Sequence, residues 1–333
     1  MKKSRIFISS ILTVALAFSL TGCNSQDKIS SKDSTNKVKK INVGYFGNTC
    51  EAPIFAAYEK GFFKEEGLEV EMVKGDANTL KDGLATGKVD ITDGLVMQWL
   101  KPIESGLDIK FTAGLHTGCI QVLIPTNSNI KSFKELKGKK IGVSAIGGGA
   151  MILAARLLTL EGIDSQKDVE WKVFPNSELP IALEKGEVDV ISVSDPFAQI
   201  QINSGKAKSV YNSATDAPFK DEYCCLTVVN GKLIEKDPEA AAAATRAIMK
   251  GAKYVSENPK EVAKIEVEKK YVPGDIDVNA SILASYNYIP SVNGGVDAVN
   301  ALSKEMKKLG LLDNNTDAEA LAKSSFAKLK GVN

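Results

Sequence analysis

The chain has 333 residues, of which 44% are hydrophobic and 25% are charged, as in an ordinary soluble globular protein. Lys and Arg total 42 against 41 Asp and Glu, so the formal net charge is only +1. This balance gives no reason to expect a nucleic acid as partner, because binding to the phosphate backbone depends on clustered Lys and Arg.

Residues 1–22 are predicted to be a secretory signal peptide. A basic start with three Lys or Arg residues precedes a mostly apolar run at 6–20. That run is too short and wrongly flanked for a membrane span. Residues 23–40 follow as a polar, Ser- and Lys-rich stretch with almost no apolar side chain to bury. We expect a flexible tether that begins at Cys23 and leads to a folded body starting near Ile41.

The folded body has roughly 290 residues, a length that indicates two domains. Its first part reads as alternating strands and helices, and the pattern then repeats. Strands are predicted at 41–46, 68–73, 89–92, 140–145, 169–174 and 188–193, and helices at 52–67, 80–87, 150–162 and 178–186. After residue 230 the pattern is helical, at 238–258, 301–310 and 318–329, and this part is expected to pack on the first unit. The prediction is therefore an α/β fold with mostly parallel sheets covered on both faces.

An internal repeat supports two related units. Five residues recur 99 positions later, the last pair being Asp90 and Asp189 (189 − 90 = 99). The others are Leu80, Leu84, Gly87 and Val89, matched by Leu179, Leu183, Gly186 and Val188. Each unit is predicted to form strand, helix, strand, helix, strand, with ligands beyond the carboxyl ends of the strands.

Several motifs carry a resemblance to a known family. They are LTGC at 20–23, INVGY, APIFAAYEKGFFKEEGLEV, LATGKVD, FKELKGKKIGV and SDPF. LTGC resembles the bacterial lipobox, whose cysteine is acylated. The chain as a whole resembles solute-binding lipoproteins of ABC importers, and is similar to the nitrate, sulfonate and taurine group that includes thiamine-pyrimidine precursor proteins.

The resemblance implies a periplasmic-binding-protein type II fold of two lobes that clamp a small molecule. Lobe one is expected at 41–120 plus 226–333 and lobe two at 121–225, with crossing strands near 119–125 and 224–230. It also implies an ABC permease and ATPase as partners, and a monomer without a cofactor. Lipid such as palmitate on Cys23 would hold the chain on the extracytoplasmic face of the cell membrane.

Six loops are expected to face the cleft, at 47–53, 93–99, 114–119, 144–151, 194–197 and 221–225. The candidate ligand-binding residues in them are Asn48, Thr49, Cys50, Glu51, Leu95, Met97, His116, Thr117, Cys119, Ser144, Gly147, Gly148, Gly149, Asp195, Phe197, Tyr223 and Cys224.

The loops contain no Lys or Arg but hold several carboxylates. This inventory favours a neutral or partly cationic, pyrimidine-like ligand over a sulfonate. A small anion is still compatible, because Gly147, Gly148 and Gly149 precede a predicted helix and would let a ligand approach its backbone N–H groups. A plain packing role for these glycines is the alternative.

The cysteines and the single histidine pose a separate question. His116 stands three positions before Cys119, a spacing that zinc sites use, although two ligands do not make a site. In the two-lobe arrangement they should converge with Cys50, Cys224 and Cys225. Three interpretations remain open: a disulfide such as Cys119 with Cys224, a soft-metal or metal-complex site, and small apolar lining. We expect His116 to contact the ligand in each.

A Cys/His-dependent enzyme is the competing class. Histidine can lower the pKa of a thiol and take its proton. The chain has no G-x-S-x-G motif and no second histidine for acid–base work. The sequence therefore favours a binding protein.

Overall fold

The computed structural model describes residues 38–333. The predicted signal peptide, Cys23 and the tether up to residue 37 lie outside the described residues. Strand structure begins at Lys39, where Lys39 and Lys40 pair with Leu68 and Glu69. The first strand therefore begins two residues before Ile41, because Lys39 and Lys40 add ladder pairs at its start.

The strands form two sheets, one of six strands and one of five. In chain order they are β1 (Lys39–Tyr45), β2 (Leu68–Lys74), β3 (Ile91–Leu95), β4 (Ile109–Thr117), β5 (Ile120–Pro125), β6 (Lys140–Val143), β7 (Glu170–Val173), β8 (Val190–Ser194), β9 (Ala207–Asn212), β10 (Tyr223–Asn230) and β11 (Asn287–Ser291).

The first sheet has the order β2-β1-β3-β10-β4-β11, and the second has the order β7-β6-β8-β5-β9. In each sheet three strands are parallel, β2-β1-β3 and β7-β6-β8. Antiparallel strands extend both of these parallel parts. The α/β prediction with two sheets is confirmed.

Helices cover the sheets and make up most of the C-terminal part. They are α1 (Ala52–Glu59), α2 (Phe62–Glu65), α3 (Ala77–Thr86), α4 (Val96–Glu104), α5 (Gly149–Leu160), α6 (Leu179–Glu184), α7 (Phe197–Asn203), α8 (Gly231–Lys236), α9 (Pro238–Glu257), α10 (Pro259–Glu268), α11 (Ile276–Ser285), α12 (Val292–Lys308) and α13 (Ala318–Ser325), with short 3-10 turns at Thr49–Glu51 and Phe133–Leu136. Within residues 38–333, no helix is both long and apolar enough to cross a membrane.

The prediction of a single helix at 52–67 is wrong, because the structure has two helices there, α1 and α2. Gly61 has a φ of 80°, a left-handed conformation that ends α1 and starts α2. The apolar periodicity continues through this turn, and so the sequence pattern alone suggested one helix.

The internal repeat has a structural counterpart. The Asp90 carboxylate accepts a hydrogen bond from the Asn42 backbone N–H at 2.8 Å, and Asp189 does the same for Lys140 at 2.8 Å. Each aspartate therefore fixes the third parallel strand to the first one of its own sheet. The repeated sequence encodes the same β-α-β-α-β unit twice.

The C-terminal helices pack on the first sheet, as expected. The alanine-rich helix α9 lies so close to α1 that a Cβ at Gly251 would stand 2.1 Å from the Pro53 carbonyl oxygen. Small side chains in α9 thus set the distance between the two helices. A separate cluster under the second sheet joins Leu123, Leu179 and Val193.

The chain changes sheets between Thr117 and Ile120, and again between Asn212 and Tyr223. Strand β5 lies wholly in the second sheet and β10 wholly in the first. The strands predicted to cross therefore stay in one sheet each, and the crossings are the short segments before them. That the two halves move as separate lobes stays a prediction.

Candidate functional site

A cavity of about 750 Å³ lies where the two sheets face each other. All six parallel strands contribute lining residues from their carboxyl ends, for example Asn48 after β1, Lys74 at the end of β2 and Ser144 after β6. The residues after α10, Val272 to Gly274, close one side. The volume suits a small-molecule ligand.

The loop after β1 is held by the carboxylate of Glu51. This side chain is only 2% exposed and accepts hydrogen bonds from the backbone N–H groups of Phe46, Gly47 and Asn48 at 2.7, 2.6 and 2.7 Å. Burial raises the pKa of Glu51 to about 7, and the three N–H groups oppose that rise. These backbone donors are occupied by the protein's own carboxylate.

Asp93, on β3, presents the opposite case. Its side chain lines the cavity, is 1% exposed, and has no hydrogen-bond partner at either carboxylate oxygen. Burial, together with the nearby Glu51, raises the pKa of Asp93 well above its ordinary value. A buried polar group without a partner costs free energy, so Asp93 is ready to accept a hydrogen-bond donor that enters the cavity.

Two lysines also line the cavity, although the six loops predicted to face it contain no Lys or Arg. Lys74 ends β2 and Lys270 follows α10. Lys74 Nζ donates to the Tyr271 carbonyl at 3.3 Å. Both residues lie outside the six predicted loops, since β2 and the C-terminal helices were not expected to reach the cleft.

The N-terminus of α5 reaches the cavity through Gly148 and Gly149. A Cβ at Gly149 would lie 2.3 Å from Leu95 Cδ1 and 2.7 Å from Leu95 Cβ. Leu95 ends β3 in the first sheet, so Gly149 is where a helix of the second sheet contacts the first. Gly149 therefore has a packing role, whereas a Cβ at Gly147 would have no neighbouring atom within 4 Å.

The half of the protein built on the first sheet and the half built on the second sheet also contact each other beside the cavity. The Thr49 N–H donates to the Asp195 carbonyl at 3.2 Å, and the Tyr286 hydroxyl donates to the Asp195 carboxylate at 2.7 Å. On another side, Arg156 of α5 pairs with Glu305 of α12 at 2.6 Å. The two halves thus contact each other around the cavity in this structure.

The predicted site residues divide into two groups. Those that line the cavity are Asn48, Cys50, Glu51, Leu95, Ser144, Gly148, Gly149 and Phe197. Those that do not line it are Thr49, Met97, His116, Thr117, Cys119, Gly147, Asp195, Tyr223 and Cys224.

Most residues of the second group are buried, and several of them make contacts within the half built on the first sheet. The Thr49 hydroxyl donates to Asn279 at 2.6 Å, and the Tyr223 hydroxyl donates to the Ile289 carbonyl at 2.5 Å. His116 is fully buried on β4, with Tyr286 stacked 5.7 Å away. Thr117 ends the same strand beside Tyr223. The expected contact between His116 and a ligand in this cavity is therefore not supported by its position.

Sequence reasoning missed several polar lining residues. They are Gln98, Asn176, Ser177 and Ser194, together with Lys74, Asp76 and Lys270. Asn176 and Ser177 follow β7, and the rule that ligands lie beyond the ends of parallel strands would have found them.

The structure brings the four cysteines of the folded body together. Cys50, Cys119, Cys224 and Cys225 are all free and buried. Cys119 Sγ lies 2.6 Å from Cys224 Sγ and 4.0 Å from Cys225 Sγ. Cys50 and Cys225 also line the cavity. We call these four residues the thiol cluster.

His116 lies beside the thiol cluster. It is the register partner of Cys225 on the neighbouring strand, and its Nδ1 is 3.2 Å from the Thr117 carbonyl oxygen. Burial lowers the pKa of His116, but its interactions with the Cys50 thiol and Asp93 outweigh burial, so the net pKa is raised above its ordinary value. Nε2 has no hydrogen-bond partner.

Two α/β sheets with a polar cavity at the carboxyl ends of their parallel strands define the periplasmic-binding-protein fold. The nitrate-binding protein NrtA of Synechocystis PCC 6803 has this fold, with a TM-score of 0.76, 18% identity, and coverage of 87% of this chain and 86% of that one. Residues 48–262 match the family described as NMT1/THI5 like, and the chain belongs to this family.

Sequence relatives agree with that assignment. A putative thiamine biosynthesis protein of Haemophilus influenzae is 29% identical over 75% of this chain and 78% of its own length. A putative aliphatic sulfonates-binding protein of Bacillus subtilis is 26% identical over 79% of this chain and 80% of its own length. The 4-amino-5-hydroxymethyl-2-methylpyrimidine phosphate synthase of Uromyces fabae is 26% identical over 68% of this chain and 69% of its own length.

Proposed function

We propose that this chain is the extracytoplasmic solute-binding component of an ABC importer, which closes around one small molecule and delivers it to a permease driven by an ATPase. The fold, the cavity between the two sheets and the relatives named for sulfonate and nitrate binding support this role. The function of such a protein depends on the affinity and specificity of ligand binding and not on turnover. Domain closure couples that binding to transport.

The ligand we propose is a small neutral or singly cationic nitrogen compound, with an aminopyrimidine as the model. The observation that carries this choice is Asp93, buried in the cavity wall with neither oxygen partnered. A carboxyl group can pair with an aminopyrimidine at two atoms, accepting from the amino group and bonding the ring nitrogen. A sulfonate or nitrate offers only acceptor oxygens, so it would leave the acceptor oxygen of Asp93 without a hydrogen-bond donor.

The remaining lining fits a ring with polar edges. Phe46, Leu95 and Phe197 supply apolar surface, and Ser144 and Asn176 supply hydrogen-bonding groups on the side of the second sheet. The lysines extend from the cavity wall, where Lys74 is already engaged with Tyr271. We infer that they tolerate an anionic substituent but do not select for one.

A thermal-shift screen followed by calorimetric titration tests the ligand class. Aminopyrimidines should raise the melting temperature, because a ligand that binds only the folded state adds stability in proportion to its saturation. Taurine, other sulfonates and nitrate should raise it less. Asp93→Asn should weaken binding of the cationic, ring-protonated aminopyrimidine by tenfold to a hundredfold, because only a carboxylate forms the charge-assisted hydrogen bond, which contributes about 1.5–3 kcal/mol.

The matched control is Asp76→Asn. Asp76 lines the same cavity but caps α3 by accepting from the Thr79 N–H at 2.8 Å, a role that asparagine also fills. This variant should keep the parent's affinity within about threefold, a margin of under 1 kcal/mol. Tight binding of a sulfonate that survives Asp93→Asn but fails without Lys74 would refute the proposed ligand class.

We also propose that Cys23 carries lipid and tethers the body to the membrane. The support is the sequence alone: LTGC follows an apolar run and precedes a polar stretch. Acyl chains would anchor the chain without a spanning helix.

An enzymatic role is the less favoured candidate, although one relative is named as a synthase. The only histidine is buried and does not line the cavity, which argues against acid–base work on a solute there. A panel of esters, peptides and pyrimidine precursors should show no turnover with the purified chain.

A further inference from the structure

The thiol cluster lies under the floor of the cavity, at the point where both sheets meet. Cys50 follows β1, Cys119 sits between β4 and β5, and Cys225 is in β10. The Sγ atoms of these three residues lie within 4.8 Å of one another. Three separate chain segments thus deliver one thiol each to a single small volume.

These separations suit one metal ion. Two sulfurs on a tetrahedral ion with bonds of about 2.3 Å lie about 3.8 Å apart. The observed spread therefore needs only small side-chain rotations. Thiolate ligands select soft or borderline d10 cations such as Cu(I), Zn²⁺ and Cd²⁺ over Mg²⁺ or Ca²⁺.

His116 supplies a second, independent observation. Its Nε2 is buried without a partner, while Nδ1 lies 3.2 Å from the Thr117 carbonyl oxygen. A hydrogen bond from Nδ1–H to a backbone carbonyl leaves the Nε2 lone pair available, which is the usual arrangement of a metal-ligating histidine. His116 is the register partner of Cys225, but its ring nitrogens do not lie within 4.8 Å of all three sulfurs, so its side chain would have to rotate toward them to complete a tetrahedral set.

The surroundings favour a positive charge and allow entry. The carboxylates of Asp93 and Glu266 are both buried without partners. Cys50 and Cys225 line the cavity, so an ion has a route from solvent to the cluster. A bound cation would favour the ionised form of these two carboxyl groups, which burial by itself disfavours.

We propose that Cys50, Cys119, Cys225 and His116 Nε2 bind one soft d10 metal ion. Cys224 is left outside the ligand set, although its sulfur is near Cys119. The site goes beyond the proposed solute binding, and its test does not need a solute.

The competing fate of the same thiols is a disulfide. Cys119 and Cys224 would form an S–S bond when a disulfide oxidant accepts their two electrons and both thiol protons leave. That bond would remove Cys119 from the metal. The variant Cys224→Ser blocks this pairing and keeps all four proposed ligands.

The experiment is native mass spectrometry of the full chain, reduced and handled without oxygen, with Cd²⁺ or Zn²⁺ added alone. The parent and Cys224→Ser should each hold one ion and, with Cd²⁺, show ultraviolet thiolate-to-metal charge transfer. Cys50→Ser and Cys225→Ser should lose at least tenfold in affinity, and His116→Gln should lose a similar factor but keep the charge-transfer band.

A second measurement uses only the parent protein, so it tests the proposal even where a variant fails to fold. In the parent, Cd²⁺ should protect Cys50, Cys119 and Cys225 from alkylation under native conditions. Absence of a bound ion in both reduced parent and Cys224→Ser would overturn the proposal, as would equal binding by Cys225→Ser. Solute binding by metal-free protein is measured separately, so failure here leaves the proposed function standing.

Discussion

Asp195 shows how one side chain joins the two halves. It is 3% exposed, receives the Tyr286 hydroxyl at 2.7 Å, and also receives the Gln121 amide at 3.2 Å and the Gln199 backbone N–H at 3.1 Å. Burial raises its pKa from 3.8 to about 6, against the effect of these donors. The sequence predicts that Asp195 binds the ligand. The structure instead places Asp195 in a contact between the two halves, and it does not line the cavity.

The raised pKa gives a signed prediction. Between pH 4 and pH 6 the folded chain keeps a proton on Asp195 that the unfolded chain has released, so the free energy of unfolding falls as pH rises through this window. Relative to Asp195→Asn, the parent should lose about 2.4 kcal/mol between pH 4 and pH 7, at about 1.4 kcal/mol per pKa unit. Urea unfolding at a series of pH values measures this difference.

Asp164→Asn serves as the control with the opposite sign. The Gln166 N–H donates to Asp164 at 2.9 Å and lowers its pKa, so the stability it contributes is lost as pH falls. A parent-to-Asp195→Asn difference that stays flat from pH 4 to pH 7 would contradict the assignment.

Sequence could name Asp93 as an acidic loop residue but could not single it out. Five carboxylates occur in the six loops. Glu51 is satisfied by three N–H groups and Glu222 pairs with Arg156, whereas Asp93 has no partner. These differences depend on tertiary neighbours, which a single sequence does not specify.

At the level of elements, the repeated β-α-β-α-β units were predictable because their periodicity is strong. The antiparallel strand β11 and the helices α10 and α11 were not predicted. They follow long helical stretches and carry weaker patterns, yet Val272 and Lys270 beside them line the cavity. The side of the site built from the C-terminal part therefore escaped prediction.

The substitution Gly149→Ala tests the contact between α5 and β3. The Cβ of Gly149→Ala would meet Leu95 at 2.3 Å, and overpacking of this kind costs typically about 1–3 kcal/mol. Under the proposed domain closure, the unliganded protein can open and so escape the clash, whereas the closed complex cannot. Solute affinity should therefore fall about tenfold or more while the melting temperature of the unliganded protein changes little. Titration calorimetry and thermal unfolding measure the two quantities.

Removing the clashing side chain should restore binding. The double variant Gly149→Ala with Leu95→Gly, which also removes the Leu95 Cβ at 2.7 Å, is expected to recover most of the affinity lost by Gly149→Ala, relative to Leu95→Gly alone. Equal losses in both backgrounds would show that Gly149 acts by another route.

For the whole molecule, the proposed lipid anchor is tested in cells. Cys23→Ala should release the chain from membranes or leave it unprocessed, because no acyl chain can then be attached. Cys50→Ala is the control, as it removes a cysteine of the folded body and should leave fractionation unchanged. A Cys23→Ala variant that fractionates with membranes like the parent, with no change in mass, would refute the anchor.

The central claim is that the cavity between the two sheets holds a nitrogen-containing solute through Asp93. A crystal structure with the solute that gives the largest thermal shift tests it most directly. The account predicts one molecule between the sheets, with a donor nitrogen at hydrogen-bonding distance, about 2.7–3.2 Å, from an Asp93 carboxylate oxygen. A ligand bound away from Asp93, or an anion held by Lys74 and Lys270, would contradict it.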